Sequence, residues 1–159
     1  MNDVNIPVDF EAVIRNIQAI LTPVVGLNHV DEDWGQLDDY SPNFPVQWPC
    51  ALIDTPLINF SNLGMDRKQT PQNRQMSDGI VSITVANLKL NNTSGRAPKF
   101  QKDNAWSIWS LINKIHLELQ GFCPAENGGK MIRTAIRRIR RDDGVQEYSL
   151  LYSFSLSDV

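Results

Sequence analysis

The spacing of apolar residues predicts two amphipathic helices. In residues 9–22 and 104–120, apolar side chains recur every three or four positions, which places them along one helical face. The first stripe consists of Phe10, Val13, Ile14, Ile17, Ile20 and Leu21. The second consists of Ala105, Ile108, Trp109, Ile112, Ile115 and Leu119. Because each helix has one apolar stripe, we expect both to pack on one face of a sheet through Ile14, Ile17, Leu21, Ile108, Trp109 and Ile112.

Apolar and β-branched runs predict the strands. Residues 50–60 and 80–90 have this composition, and Pro56 indicates a break, a bulge or an edge position in the first run. Residues 131–141 and 145–159 flank an Asp-Asp-Gly turn, and Asp-Gly between two such runs is typical of a β-hairpin. In the last run, one face is predicted to carry Tyr148, Leu150, Tyr152, Phe154 and Leu156, and the other face serines.

Two segments have no regular apolar pattern. Residues 27–49 are acidic and contain three prolines, which predicts an irregular segment with short edge strands. Residues 61–79 are mostly polar and have no periodic apolar face, and we predict a long loop there. The strands follow one another through hairpins rather than helical crossovers. The sequence therefore predicts a single α+β domain over residues 1–159, with a mostly antiparallel sheet and two helices on one face.

Charge is unevenly distributed along the 159 residues. The chain carries 15 Lys and Arg against 18 Asp and Glu, for a net charge of -3 and an isoelectric point near 5.3. Residues 1–60 hold nine acidic side chains and one basic one, and the remaining residues hold nine acidic and fourteen basic ones. The two parts therefore carry opposite net charge. They can neutralise each other within one chain or between neighbouring copies.

The sequence offers little chemistry for catalysis or ligand binding. It contains no nucleotide-binding, hydrolase or metalloprotease motif, and its two histidines, His29 and His116, match no metal-ligand spacing. We therefore predict no catalytic residue, no cofactor and no metal. Cys50 and Cys123 are far apart in sequence, which predicts two buried free thiols in a reducing compartment. No apolar run is long enough to span a bilayer, and the first residues do not resemble a signal peptide, so we expect no membrane partner.

Five arginines fall within nine residues of the third predicted strand, namely Arg133, Arg137, Arg138, Arg140 and Arg141. The alternation of this strand slips near Arg137 and Arg138, which predicts a bulge there or a strand end that projects from the core. The arginines can keep a sheet edge solvated. They can also bind the acidic part of a neighbouring copy, with Asp31, Glu32, Asp33, Asp38 and Asp39 as the candidate partners. Direct contact with nucleic acid is the third interpretation. The acidic net charge and the lack of interleaved aromatic residues weigh against it.

The order and character of these segments resemble the phage tail terminator, or tail completion, family. The resemblance runs from about residue 8 to residue 157. It includes "FEAVIRNIQAIL", "FPVQWPCALID", the tryptophan-bearing "AWSIWSLINKI" and the final basic strand, Asp-Asp-Gly turn and "EYSLLYSFSL". The acidic 27–49 segment departs from the family pattern.

This resemblance implies a structural role in the virion. Proteins of that family are small α+β subunits that form a ring, commonly a hexamer, which ends the tail tube and meets the head connector. It implies a homo-oligomer assembled in the host cytoplasm and located in the tail or neck, with tail-tube and head-connector proteins as partners. The alternatives are another head–tail joining or tail-tube subunit, or a small nucleic-acid-binding module that uses the Arg133–Arg141 strand.

Overall fold

Helices cover one face of a five-stranded sheet, in the α+β arrangement that the sequence predicted. A computed structural model describes residues 9–38, 45–89 and 91–159. The helices are α1 (Asp9–Leu21), α2 (Lys99–Ala105) and α3 (Ser107–Leu119), and a 3₁₀ turn spans Gln36–Asp38. The strands are β1 (His29–Glu32), β2 (Cys50–Met65), β3 (Asn73–Leu88), β4 (Ile132–Ile139) and β5 (Val145–Ser157).

The strand order in the sheet is β1-β2-β3-β5-β4. Strand β1 pairs with β2 in parallel, and every other pair is antiparallel. Strand β5 lies between β3 and β4, so β1 and β4 form the two opposite edges. The predicted bulge at Pro56 is confirmed, because the β2–β3 register shifts between Asp54 and Leu57.

The main core lies between the sheet and the helices. On α1 the fully buried residues are Val13, Ile17 and Leu21, and on α3 they include Ile108, Ile112 and Ile115. The predicted inward face of the last strand is confirmed, since Tyr148, Leu150, Tyr152, Phe154 and Leu156 are all buried in this core. A smaller core on the other face of the sheet contains Leu37, Val46, Cys50, Leu52, Ala86 and Val145. We call the rest of that second face the open face.

Two of the predicted core residues are not buried. Ile14 is only half-buried, and 45% of Trp109 is exposed, whereas Leu111 takes the buried position. The ring of Trp109 packs on Tyr148 at the border of the sheet, with ring centroids 4.7 Å apart. The predicted 104–120 helix also divides into α2 and α3 at Trp106, whose backbone departs from helical geometry at φ -97 and ψ 5. The apolar stripe of α3 therefore faces the sheet at a slightly different angle from the predicted one.

The prediction of a loop over residues 61–79 was wrong. Strands β2 and β3 stay paired as far as Met65 and Asn73, and only residues 66–72 form the turn. Residues 73–75 of β3 have no partner in β5, so this end of the hairpin extends past the sheet. Neither face of the extension packs against the two cores. Its strands therefore lack the apolar alternation by which a half-buried strand is recognised.

The acidic 27–49 segment contains a short edge strand, β1, as predicted, and the 3₁₀ turn follows it. Residues 39–44, which include the candidate Asp39, lie outside the described residues. The two cysteines are free, as predicted, but only Cys50 is buried and Cys123 is exposed. No helix in the described ranges is long and apolar enough to cross a membrane.

Candidate functional site

Strand β4 places the arginines on both faces of one sheet edge. Its register with β5 shifts between Arg133 and Ala135, so the bulge lies at Thr134 and not near Arg137 as predicted. Residues directly opposite in a sheet share a face. Arg133 and Arg138 lie opposite the buried Tyr152 and Tyr148, on the helix-covered face. An early bulge thus accounts for the slip in the sequence pattern.

Four of the five arginines are not neutralised within the described chain. Arg137, Arg138 and Arg140 are exposed and Arg133 is half-buried. No carboxylate of the described residues forms an ion pair with any of them. We call the outer side of β4, with these four residues, the arginine edge.

Arg141 differs from the other four arginines, because its ion pairs lie within its own chain. Its side chain is only 8% exposed and lies among three carboxylates of the same chain. It donates to Asp143 at 2.7 Å, to Asp38 at 3.0 Å and to Glu147 at 3.0 Å, and also to the carbonyl of Leu37. Asp38 is likewise engaged within its own chain. Arg141 therefore ties the 3₁₀ turn to the β4–β5 hairpin instead of facing a neighbour.

The ionisation of this cluster follows from its contacts. Hydrogen bonds that Arg141 donates to Asp143 raise the pKa of Arg141 and lower the pKa of Asp143. Burial raises the pKa of Glu147, and this effect outweighs the hydrogen bond from Arg141 that lowers it. Arg141 thus stays charged, with Asp143 as its firmest counter-ion.

The opposite edge of the sheet is acidic. Strand β1 carries Asp31 and Glu32, and Asp33 follows it directly. Glu32 is exposed, and Asp31 and Asp33 are half-buried. Asp31 accepts from the Glu32 amide at 2.8 Å, and Asp33 accepts from the Gly35 amide at 3.0 Å. We call this outer side of β1 the acidic edge.

The two charged edges lie at the same level of the sheet. One row of directly paired residues runs from Asp31 through Leu52, Thr84 and Ser149 to Arg137. The next row runs from Glu32 through Ile53, Ile83 and Leu150 to Ile136, and the row on the other side joins Val30 to Arg138. Opposite charges therefore stand at the two ends of one cross-strand row, Asp31 to Arg137, and Glu32 and Arg138 lie in the two rows beside it. The sequence showed both charge clusters but not this alignment.

Each histidine lies near one of the two edges. His116 lies near the arginine edge, where its Nδ1 is 3.1 Å from the Tyr152 hydroxyl. Burial, with a smaller effect of Arg133, lowers the pKa of His116, so the ring is neutral at pH 7. His29 Nε2 lies 3.7 Å from Asp31. Over residues 9–38, 45–89 and 91–159, no three His, Cys, Asp or Glu side chains are grouped as a metal site.

Comparison with solved structures finds chains that resemble this one. No family model matches the sequence, and no curated protein matches it. A chain in the solved structure "Virion of native gene transfer agent (GTA) particle" aligns with 92% of this chain and 92% of its own length. The two are 10% identical, with a TM-score of 0.40. A resemblance at this level assigns neither a family nor a function.

Proposed function

We propose that this protein is a structural subunit of a virion, of the tail terminator type. Its copies assemble into a ring in which one edge of each subunit meets the other edge of the next. The observation that carries the proposal is the placement of the arginine edge and the acidic edge on opposite sides of one sheet, with Asp31 and Arg137 at the two ends of one cross-strand row. The ring would end the tail tube and meet the head connector, as the family resemblance implies. This role involves no catalysis and no cofactor.

A closed ring requires a heterologous contact, in which one surface of a subunit meets a different surface of the next. The arginine edge and the acidic edge fit this requirement, because they lie on opposite sides of one rigid sheet. Like edges carry like charge, so a two-fold contact between two arginine edges is disfavoured. The same charges keep both edges solvated in the free subunit. Edge solvation and assembly are therefore compatible uses of these arginines.

The charges set the register of the contact more than they add affinity. An exposed ion pair contributes about 0–1 kcal/mol, so a single Arg→Ala change should have little effect. Reversal of several charges replaces attraction with repulsion over the whole edge. Raised salt should weaken assembly as well, because exposed charges are screened within about 8–10 Å at moderate ionic strength.

The proposal is tested by light scattering on size-exclusion fractions. The variant carries Arg137→Glu, Arg138→Glu and Arg140→Glu, and omits Arg141 because that residue is buried in an internal ion cluster. The matched control reverses three exposed cations elsewhere, Arg67, Lys68 and Arg96. We expect a ring for the wild type and the control, and monomers with unchanged circular dichroism for the variant. Normal assembly of the variant would contradict the proposal.

A nucleic-acid-binding module is the second candidate, and a specific cleft favours it. Lys89, Arg138 and Arg140 line a cleft of about 320 Å³ beside the β4–β5 turn. Phosphate neutralisation gives affinity that falls steeply with salt. A wild-type monomer that binds DNA with such a salt slope would support this candidate instead.

Another head–tail joining or tail-tube subunit is the alternative within the structural class. A tube subunit adds rings upon rings, so its assembled mass grows with concentration. A terminator ring keeps one mass over the same range. The concentration dependence of the scattering mass separates the two.

A further inference from the structure

The outer side of β4 offers unused main-chain hydrogen-bonding groups. The amide of Gly129 donates to Ser155 O, and the amide of Ser157 donates to Asn127 O, both at 2.9 Å. The odd-numbered residues of β5 therefore direct their main-chain groups away from β3, towards the β4 side. Their partners in β4 include Ala135, Arg137 and Ile139. Main-chain direction alternates along a strand, so the groups of Ile136 and Arg138 face outward, where the described residues supply no partner.

The outward groups of β1 belong to Val30 and Glu32. The Asp33 amide donates to Ile53 O at 2.8 Å, which shows that odd-numbered residues face β2. The Val30 carbonyl accepts from Gln18 Nε2 at 3.1 Å, and the Glu32 carbonyl accepts from Gln36 Nε2 at 2.9 Å. Side chains thus cover this edge in the free subunit.

The outward residues of the two edges lie on the same cross-strand rows. Glu32 shares its row with Ile136, and Val30 shares its row with Arg138. Strand β4 also runs antiparallel to β2 and therefore to β1. A rotation about an axis along the strands would bring β1 of a second copy beside β4 as an antiparallel neighbour.

We infer that β4 of one copy pairs with β1 of a second copy, which joins the sheets of neighbouring subunits into one. This inference rests on the proposed function and names the contact that builds the ring. Cyclic symmetry includes no shift along its axis, so strands that follow the axis meet at the same level. Ile136 then pairs with Glu32, and Arg138 with Val30, as the hydrogen-bonded pairs. Arg137 and Asp31 form the non-hydrogen-bonded pair between them.

Three side-chain contacts of the free subunit change in this pairing. Gln18 and Gln36 turn away from the carbonyls of Val30 and Glu32, which then accept from amides of β4. The Glu32 amide exchanges its partner, Asp31 Oδ1, for a carbonyl of β4. The released carboxylate lies on the same face of the sheet as Arg137, because Asp31 and Arg137 share a row. The main-chain contact and the ion pair are therefore coupled.

Disulfide trapping in the assembled protein tests the register. The background is Cys123→Ser, since that thiol is exposed, and the buried Cys50 is kept. The test pair is Asp31→Cys with Arg137→Cys, because Cα atoms about 4.5 Å apart in a non-hydrogen-bonded pair can be bridged. The control pair is Asp31→Cys with Arg138→Cys, whose side chains lie on opposite faces. Oxidised samples are compared by denaturing electrophoresis without reductant.

We expect intermolecular ladders for the test pair, with a cross-linked fraction at least about tenfold larger than in the control. Equal cross-linking of both pairs, or of neither pair in a protein that still forms rings, would overturn the pairing and leave the proposed function standing. A wild-type protein that stays monomeric would refute the proposed function itself.

A charge exchange covers the case in which the cysteine variants fail to assemble. Asp31→Arg and Arg137→Asp should each weaken assembly, and the double variant should restore it, because each contact then regains opposite charges. Failure of the double variant to recover beyond either single variant, while the wild type forms rings, would also overturn the pairing.

Discussion

Replacement of the buried Arg141 is expected to destabilise the subunit strongly. In the Arg141→Met variant, Asp143 and Glu147 would keep their positions at 15% and 10% exposure without the guanidinium that neutralises them. Removal of one partner from a buried ion pair costs about 3–5 kcal/mol. The contribution of Asp38 is smaller, because its side chain is 74% exposed. Protonation of Glu147 relieves part of the loss. We therefore expect a decrease of about 3 kcal/mol in the free energy of unfolding.

The measurement is urea denaturation followed by circular dichroism, at a concentration where both proteins are monomeric. The matched control is Arg140→Met, which alters an exposed arginine one residue away and should change stability by less than about 0.5 kcal/mol. A change of less than about 1 kcal/mol in Arg141→Met would refute the reasoning, since it would mean that the cluster is solvated.

The pH dependence of the same two proteins gives a second readout. The pKa of Asp143 is lower in the folded state, because Arg141 binds the ionised form. Its contribution to stability is thus present above the unfolded value near about 4, and it is lost as the pH falls through the folded pKa. Glu147 has the opposite sign, since burial raises its pKa. The wild type should therefore lose more stability than Arg141→Met when the pH falls below about 4.

Two further predictions concern the core and the thiols. Ile17→Ala should cost about 2–5 kcal/mol in urea denaturation, because Ile17 is fully buried, whereas Ile14→Ala at a half-buried position should cost less than half as much; equal losses would contradict the burial. In the native protein, Cys123 should react with a thiol reagent at neutral pH. Cys50 should react only on unfolding, since burial raises its pKa to about 12. Rapid labelling of both thiols would show that the smaller core around Cys50 is accessible to solvent.

The fold could be predicted from sequence wherever one face of an element is buried and the other is not. This holds for β5, with its inward Tyr148 and Leu150, and for α1, with Ile17 and Leu21. The extended end of the β2–β3 hairpin packs against neither core, so it carries no apolar alternation to detect. Trp109 shows a related limit. Apolar spacing identifies which side of a helix faces the sheet, but not where the contact between helix and sheet ends.

The sequence predicted which charged residues form the candidate site, but not how the fold arranges them. Counting charges grouped Arg141 with the other arginines, although its partner Asp38 is 103 residues away and internal to the same chain. The placement of acid and base on opposite edges depends on the insertion of β5 between β3 and β4. Neighbouring segments in sequence do not determine that order. The alignment of Asp31 with Arg137 depends further on the register of every strand pair between them.

Mixing two charge-reversed variants tests the contact between the arginine edge and the acidic edge most directly. One variant carries Arg137→Glu, Arg138→Glu and Arg140→Glu, and the other carries Asp31→Arg and Glu32→Arg. Each alone faces like charge at every contact, whereas an alternating mixture has opposite charges at every contact. The scattering mass at low salt should show monomers for each variant and oligomers for the mixture. A mixture that stays monomeric while the wild type assembles, or a variant that assembles alone, would contradict the account.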